Sequence, residues 1–422
     1  MIIANSDGTG ERAFAKFQPG NESGESLSSG APSWSANGNL VAFPLVSLGK
    51  SITGEVGVYD PSGAQVKKFA YGMLIESLAW LPDNSGFFVI ARTPETRFRR
   101  QIKFQPYPSG QVQNVVNDLN EYYDVSITGD GKSLVAIQTQ TRSGVYLGNV
   151  PTKLPAKITL DGSPITSGQA EGASISWTRD GRLLSMDAQF HSVILSPDGK
   201  SRTPILEHEP MVLEPAACGP DSIVASLLHG RDYVGLSKYT PGTGELKQLT
   251  QGPDDEGAFC TPDGNTIFFI RWQHGGTLMR FSMGSGTPVE MAGTLTSWPH
   301  VSPDGKQLLY TQLVGAGANQ KFQFVIQSVE GGAPLKVLPS PVYSGNTRWA
   351  PDGKGILYSD ESGEGHALFY QPLDGGARTQ LTHFDTEPMA IASFASSPDG
   401  KKIAVTRARD NDSDLIMFSN FH

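Results

Sequence analysis

The sequence has little of what nucleic-acid-binding, membrane-spanning or disulfide-rich chains carry. Only 18% of its residues are charged and only two are cysteines, which excludes a disulfide framework. Its net charge is −9, and phosphate binding needs clustered positive charge, so nucleic acid is not an expected partner. No run of 18 apolar residues occurs, so no membrane segment is predicted, and Met1 is not followed by the basic and apolar stretches of a signal peptide.

Catalytic and metal-binding motifs are also missing. The chain has no Gly-x-Ser-x-Gly, no His-Arg-Asp or Asp-Phe-Gly, and no His-x-x-x-His or Cys/His ligand spacing. Residues Asp410 to Asp414 alternate oxygen ligands like the first half of a calcium loop, but Leu415 stands where that loop needs glycine. We therefore predict no catalytic residue, no metal and no cofactor.

What the sequence does contain is a short anchor, Trp349-Ala-Pro-Asp-Gly353, that recurs nine times. Glycine (48 residues) and proline (29) are abundant and sustained helical periodicity is absent, which is typical of an all-β chain rich in turns. Successive anchors start between 41 and 50 residues apart, the period of a four-stranded propeller blade. The other copies begin at Trp34, Trp80, Ile127, Trp177, Cys218, Cys260, Val301 and Ser396.

Each anchor is followed by a strand-type apolar run, and a second glycine turn comes about twenty residues later. The repeat therefore predicts an all-β fold, a β-propeller of four-stranded antiparallel blades. Nine anchors predict one ring of eight or nine blades, with a seven-blade ring plus extra N-terminal blades as the alternative. Residues 1–17 are predicted as the outer hairpin of a partial blade, and residues 18–422 as the propeller repeats. Because that hairpin is one strand more than ring closure needs, we expect the chain to be part of a longer one.

Two local features have plain structural interpretations. Cys218 and Cys260 occupy the same anchor position in successive repeats, and we predict two small packing residues there, with a cross-link as the alternative. The connection from residue 91 to residue 100 contains four arginines, which we interpret as a solvated loop, with an anion or partner contact as the alternative.

The candidate binding residues lie just before the anchors, where inner strands reach the mouth of a propeller channel. A ring brings such distant residues together, and an acidic mouth would attract cations or basic ligands. The alternative is that a water-filled channel simply tolerates polar residues. The candidates are Glu76, Tyr123, Asp124, Glu214, Asp255, Glu256, Trp298, His300 and Arg348.

The anchors and endings such as Leu373-Asp-Gly-Gly-Ala-Arg-Thr-Gln-Leu-Thr382 resemble TolB-type, WD-like propeller repeats over the whole chain. Segments such as Asn117 to Ser126 and Ser176 to Arg182 are most similar to the extracytoplasmic propeller region of bacterial serine/threonine kinases of the acidobacterial kind. That resemblance implies a sensing or binding role and a periplasmic or extracytoplasmic location. Kinase motifs are absent, so phosphotransfer is not carried over to any residue here.

Three functions remain open at this point. The first is a non-catalytic binding propeller, a monomer that takes a protein, a peptide or a small envelope ligand as part of a larger signalling or envelope protein. The second is a propeller enzyme, a metal-dependent lyase or lactonase, in which His300 or His208 and nearby carboxylates hold the metal. The third is a structural spacer.

Overall fold

The computed structural model is all-β, with no helix in the residues it describes. Those residues are 2–14, 24–27, 30–48, 52–72, 74–93, 99–118, 120–166, 168–169, 172–187, 190–209, 211–229, 233–252, 254–272, 276–293, 297–315, 319–341, 346–360, 367–383 and 390–419. None of their elements is a helix long and apolar enough to cross a membrane. The chain divides into two compact units, which we call unit 1 (residues 1–140 and 411–422) and unit 2 (residues 141–410).

Unit 1 contains a two-stranded hairpin and two complete sheets, and it shares a further sheet with unit 2. The hairpin strands are β1 (Ile2–Ile3) and β2 (Arg12–Ala13). The first sheet comprises β3 (Gly24–Leu27), β4 (Ser33–Trp34), β5 (Val41–Leu48), β6 (Ile52–Tyr59) and β7 (Gln65–Gly72), and the second comprises β8 (Leu74–Trp80), β9 (Gly86–Arg92), β10 (Arg100–Pro106) and β11 (Gln113–Asn114). The shared sheet consists of β12 (Glu121–Ile127), β13 (Ser133–Asn149), β14 (Gly168–Gln169), β35 (Ala390–Ser396) and β36 (Lys402–Ser419).

Unit 2 adds five four-stranded antiparallel sheets to its part of the shared sheet. Their strands, in chain order, are β15 (Ser174–Trp177), β16 (Leu183–Met186), β17 (Ser192–Leu195), β18 (Arg202–Ile205); β19 (Val212–Ala217), β20 (Ile223–His229), β21 (Tyr233–Thr240), β22 (Glu245–Gln248); β23 (Asp255–Cys260), β24 (Thr266–Arg271), β25 (Thr277–Ser282), β26 (Val289–Ala292); β27 (His300–Val301), β28 (Gln307–Val314), β29 (Lys321–Ser328), β30 (Lys336–Pro339); β31 (Thr347–Trp349), β32 (Gly355–Asp360), β33 (Ala367–Pro372) and β34 (Thr379–Gln380). The predicted four-stranded antiparallel blade is therefore confirmed.

The inner strands of unit 2 form a ring around one channel. Strands β35, β15, β19, β23, β27 and β31 are neighbours in that order. The side-chain amide of Asn346, next to β31, donates to the Ala392 carbonyl of β35 at 2.9 Å, which closes the ring. Residues from all six strands line a cavity of about 510 Å³.

The ring that the structure describes in unit 2 has six sheets, and the blade number predicted from nine anchors, eight or nine with seven plus extra blades as the alternative, is not confirmed. The anchors at Trp34, Trp80 and Ile127 belong to unit 1, and the remaining six belong to unit 2. A single repeat motif serves both units, and the anchors at Ile127 and Ser396 lie in the same shared sheet, so the number of anchors gives neither the number of sheets nor the size of a ring.

The anchor folds as it does because its side chains bond its own backbone. In the copy at residues 302–307, the Ser302 hydroxyl donates to Asp304 Oδ1 at 2.6 Å. The same carboxylate accepts the Lys306 amide at 3.1 Å. Gly305 takes the left-handed φ of +76° that the turn requires. These bonds hold the hairpin between the inner strand and the next strand in one register.

The anchor tryptophan joins neighbouring sheets. Trp349 Nε1 donates to the His300 carbonyl at 3.0 Å, and Trp177 Nε1 donates to the Ala395 carbonyl at 2.9 Å. Each bond satisfies a buried indole N–H and links one inner strand to the inner strand before it in the ring. The apolar core lies between neighbouring sheets. Phe268 and Ile270 of one sheet, for example, pack on Leu308 and Tyr310 of the next.

Cys218 and Cys260 form a disulfide, with their Cα atoms 5.2 Å apart. The prediction of two unlinked packing residues was wrong, and the alternative of a cross-link is the correct one. Equivalent positions of adjacent blades come within disulfide range because the inner strands lie side by side around the channel. The disulfide joins the turn after β19 to the end of β23.

The amino-terminal hairpin packs on the first sheet of unit 1. Phe14 lies 6.4 Å from the Phe43 ring and 6.3 Å from the Tyr59 ring, measured between centroids. The backbone oxygen of Phe14 occupies the space that a Cβ at Gly63 would need, so glycine is required there. Residues 15–17 of the predicted hairpin lie outside the described residues, and the boundary at residue 17 stays a prediction.

Candidate functional site

Bulges in the inner strands set the direction of the candidate side chains. The ladder of β19 shifts register between Leu213 and Ala216, and Glu214 within this bulge has a left-handed φ of +46°. The ladder of β12 shifts in the same way around Asp124, whose φ is +48°. Bulges commonly re-aim a side chain next to a binding site. The positions found from the sequence therefore share a local geometry as well as a place before the anchor.

The nine candidates divide between the units, with Glu76, Tyr123 and Asp124 in unit 1 and the other six in unit 2. In unit 2, Glu214, Glu256 and Trp298 come together with Trp272, which the sequence did not single out. Trp272 Nε1 donates to Glu256 Oε2 at 2.9 Å, and the two indole rings lie 5.6 Å apart in a T-shaped pair. We call these four residues the acidic end of the channel.

Backbone geometry holds the Trp298 indole in place. A Cβ on Gly257 would lie 2.2 Å from Trp298 Cε3, so the ring packs directly on the Gly257 backbone. Gly257 also has a positive φ of +65°, at the bulge that follows Glu256. Glycine is therefore needed twice over at this position, for the space and for the dihedral.

The acidic end binds protons more tightly than exposed carboxylates do. Burial raises the pKa of Glu256 to about 7, against the lowering effect of its bond from Trp272. Burial, and then the charge of Glu256, raise the pKa of Glu214 well above its usual value. Glu214 Oε2 is buried and has no hydrogen-bond partner among the described residues. A positively charged group placed here would restore full ionisation of both carboxyls.

Asp255 and Asp254 play supporting roles beside this cluster. Asp255 is fully buried and forms a bidentate ion pair with Arg271, with Nε–Oδ1 at 2.7 Å and Nη2–Oδ2 at 2.9 Å. Its carboxylate therefore already has a charged hydrogen-bonding partner within the protein. Burial and the charge of Asp255 raise the pKa of Asp254.

Arg348 and His300 lie further along the channel, against aromatic rings. Arg348 Nη1 contacts His300 Nε2 and donates to the Thr347 carbonyl at 3.1 Å. Its guanidinium carbon lies 5.4 Å from the Phe259 ring centroid and 5.7 Å from that of Phe394. Burial lowers the pKa of Arg348 to about 10. Burial and the adjacent Arg348 charge together hold the pKa of His300 well below its usual value, so this imidazole is neutral at pH 7.

Two cavities of unit 2 share Phe259 and Arg348. The larger one, of about 510 Å³, lies among the anchor turns and includes His300 and the rim residue Arg179. We call it the anchor-side cavity. The smaller one, of about 40 Å³, is lined by Glu214, Trp298 and Arg348. Arg348 therefore borders both cavities, whereas Glu214 lines only the smaller one.

The candidates of unit 1 bind one another through Arg100. The Nε of Arg100 lies 3.1 Å from Glu76 Oε1, and its guanidinium stacks 4.3 Å from the Tyr123 ring centroid. Arg92 also pairs with Glu76, at 3.3 Å. Two of the four arginines that the sequence placed in a solvated loop therefore belong to an ion-pair network, while residues 94–98 lie outside the described residues. Asp124 accepts the Ser77 hydroxyl at 2.9 Å.

The histidines named for the metal-dependent alternative do not lie with carboxylates that could share a metal ion, as far as the structure describes them. His208 lies in an exposed turn after β18, and His300 Nε2 faces a guanidinium rather than a carboxylate. Among the described residues, no three His, Cys, Asp or Glu side chains stand close enough together to hold an ion. The side chains of residues 409–412 lie outside the described part, so the acidic stretch there is not described in full.

Comparisons with known proteins give the fold and no closer relationship. No protein-family model matches the sequence, and no curated protein is similar to it. Among solved structures, a protein assigned as TolB from Agrobacterium tumefaciens has a TM-score of 0.51 and 16% identity, covering 64% of this chain and 99% of its own. The shared fold is a β-propeller.

Two further structures align more loosely. TolB from Acinetobacter baumannii has a TM-score of 0.31 and 13% identity, with 90% of this chain and 84% of its own covered. An oligogalacturonate lyase in complex with manganese has a TM-score of 0.35 and 12% identity, with 81% of this chain and 87% of its own covered. TolB-like propellers are thus among the structural neighbours of this chain.

Proposed function

We propose that this chain is a non-catalytic binding propeller whose unit 2 channel takes a positively charged group of its ligand at the acidic end. The observation that carries the proposal is the convergence of Glu214, Glu256, Trp272 and Trp298 from different inner and neighbouring strands. Glu214 has a buried oxygen without a partner among the described residues, and a buried carboxylate in that state is costly unless something binds it.

The chemistry of the acidic end favours an ammonium or guanidinium group. Carboxylates supply the charge, and indole faces attract cations with about 0.5–2 kcal/mol each, more when water is excluded. Trp272 is 41% exposed, so it can meet a ligand arriving from solvent, whereas Glu214 lies deeper. A lysine or arginine side chain of a protein or peptide has the length to pass the indoles and reach Glu214, and a small envelope ligand bearing an amine would do the same.

We further propose an extracytoplasmic location, as part of a larger signalling or envelope protein. The Cys218–Cys260 disulfide supports this location, because disulfides form and persist in oxidising compartments. A TolB-like propeller among the structural neighbours is compatible with it. The association with a kinase rests on the sequence resemblance alone. A monomeric state remains a prediction.

The proposal is tested with a defined cationic probe on the full chain. N-acetyl-lysine methylamide should bind in calorimetry and change the Trp272 fluorescence, whereas the uncharged norleucine equivalent should not. Glu214→Gln and Glu256→Gln should each weaken binding about tenfold or more, since a hydrogen bond to a charged group contributes about 1.5–3 kcal/mol.

The matched control is Glu245→Gln, which removes an exposed carboxylate from the outer strand β22 and should leave binding unchanged. Equal binding of the lysine and norleucine probes, or wild-type affinity in both channel variants, would show that the acidic end is not the binding site.

A further inference from the structure

Arg348 differs from two other arginines of unit 2. Arg271 has a bidentate carboxylate in Asp255, and Arg378 pairs with the buried carboxylate of Asp360 at 2.5 Å. Arg348 has no carboxylate within ion-pair distance among the described residues, and its contacts are a neutral imidazole and the carbonyl of its own strand neighbour. The charge of Glu214 raises the pKa of Arg348 against the effect of burial, but among the described residues no hydrogen bond joins the two. A desolvated guanidinium that no carboxylate of the chain hydrogen-bonds keeps donors for a partner outside the chain.

The remaining donors of Arg348 are available to such a partner. Both of its hydrogen bonds to described residues use Nη1, which leaves Nε and Nη2 without a protein acceptor there. Those two nitrogens form the edge of the guanidinium that binds a carboxylate through two parallel hydrogen bonds. The rings of Phe259 and Phe394 lie against the guanidinium, so a flat group fits beside it better than a tetrahedral one.

The anchor-side cavity gives an anionic group a way in. It has room for a ligand of about 510 Å³ and is lined both by apolar side chains and by serine and threonine hydroxyls. A second arginine, Arg179, lies exposed at its rim. The cavity is also lined by Asp399, whose carboxylate accepts hydrogen bonds within an anchor turn from the Ser397 hydroxyl at 2.6 Å and the Lys401 amide at 3.1 Å. Glu214 lines only the other cavity.

We propose that the anchor-side cavity is a second binding site, in which Arg348 holds the carboxylate of an organic ligand through Nε and Nη2. Arg179 attracts the anion at the rim, and Phe259, Ile175 and Val301 contact the apolar body of the ligand. The site differs from the acidic end in the group it binds, a carboxylate instead of a cation, and it does not depend on a cation binding there. A ligand that carried both an ammonium and a carboxylate could occupy both ends of the channel.

The test uses matched probes on the full chain. N-acetylphenylalanine carries a carboxylate on an aromatic body, and N-acetylphenylalaninamide is the same body without the charge. We expect calorimetry and thermal-shift measurements to show saturable binding of the acid and at least tenfold weaker binding of the amide. Arg348→Met should reduce binding of the acid at least tenfold, and Arg348→Lys should retain only part of it, because lysine keeps the charge but lacks the two-pronged edge.

Further variants distinguish the anchor-side cavity from the acidic end and from the protein surface. Arg179→Met, an exposed change that should not affect folding, should weaken binding of the acid a few-fold and make it less sensitive to salt. Arg182→Met removes an arginine from a surface turn and should have no effect. Glu214→Gln should leave the affinity for the acid within a few-fold of wild type. Failure of this second site can therefore be told apart from failure of the acidic end, which Glu214→Gln tests with the cationic probe.

Several results would overturn the inference. Equal binding of the acid and the amide would show that only the apolar body is recognised. Inorganic phosphate that displaced the acid at lower concentration would exclude a carboxylate as the preferred group. If Arg348→Met failed to fold, unchanged binding in both Arg179→Met and Arg348→Lys would still refute the site. Binding of the acid that became tenfold or more tighter in Glu214→Gln would identify Glu214 as the counter-ion that occupies Arg348 in the wild type.

Discussion

Replacing Glu256 with glutamine should remove much of the pH dependence of the stability of unit 2. The folded protein holds the Glu256 proton with a pKa of about 7, against a usual value of 4.5. That difference corresponds to roughly 300-fold tighter proton binding in the folded state, or about 3 kcal/mol. Glutamine keeps an oxygen that can accept the Trp272 N–H, but it cannot ionise.

The direction in which Glu256 changes the stability with pH follows from proton linkage. Between pH 4.5 and 7 the folded state keeps a proton on Glu256 that the unfolded state has lost, so the folded state binds more protons. The contribution of this group is favourable below that window and is lost as the pH rises through 7. We therefore expect Glu256→Gln to match wild type near pH 5 and to be more stable by up to about 3 kcal/mol at pH 8.

Urea unfolding at pH 5, 6, 7 and 8 measures this difference, and the indole N–H signal of Trp272 reports the titration directly because it bonds the carboxylate at 2.9 Å. Glu214 and Asp254 shift in the same direction, so the comparison between wild type and variant isolates Glu256 from them. Glu245→Gln is the exposed control. The same pH dependence in wild type and Glu256→Gln, or an indole signal that does not titrate near pH 7, would refute the reasoning.

Two further predictions concern stability. Replacing both Cys218 and Cys260 with alanine should destabilise unit 2 by roughly 4 kcal/mol, which is the chain-entropy value for a loop of this length. Reduced wild type should melt at the same temperature as this double variant, and a variant that melted at the wild-type temperature would show that the cross-link does not constrain the unfolded chain. Asp255→Ala should lower the free energy of unfolding in urea by about 3–5 kcal/mol, because it leaves the Arg271 guanidinium without its carboxylate. The double variant Asp255→Leu with Arg271→Met should recover most of this loss. A loss below about 1 kcal/mol in Asp255→Ala would contradict this prediction.

The repeat architecture could be predicted from the sequence because it depends on local chemistry. The turn in most anchors has a hydroxyl, an aspartate and a glycine at fixed spacing, and the copy at residues 302–305 shows why each is present. The size of the ring could not be predicted in the same way. Ring size depends on which sheets become neighbours, and the anchor of Trp80 in unit 1 has the same form as that of Trp349 in unit 2.

The candidate site was predicted in part. Glu214, Glu256 and Trp298 could be found because channel residues precede the anchors, a rule that follows from the geometry of the repeat. Asp255 satisfied the same rule, yet it is paired with Arg271, a residue opposite it in the strand ladder. Trp272 follows that arginine at the end of β24, so pairing the inner strand with its neighbour in the sequence would have found it.

The long strands β13 and β36 have a consequence for how the chain assembles. They hydrogen-bond to each other along the shared sheet, with side-chain bonds from Ser133 to Ser419 and from Lys402 to Asn149. Residues 140 and 411 are therefore brought together once unit 2 has folded, which removes most of the entropy cost of closing a very long loop. During synthesis the part of β36 that follows residue 410 leaves the ribosome only after all of unit 2.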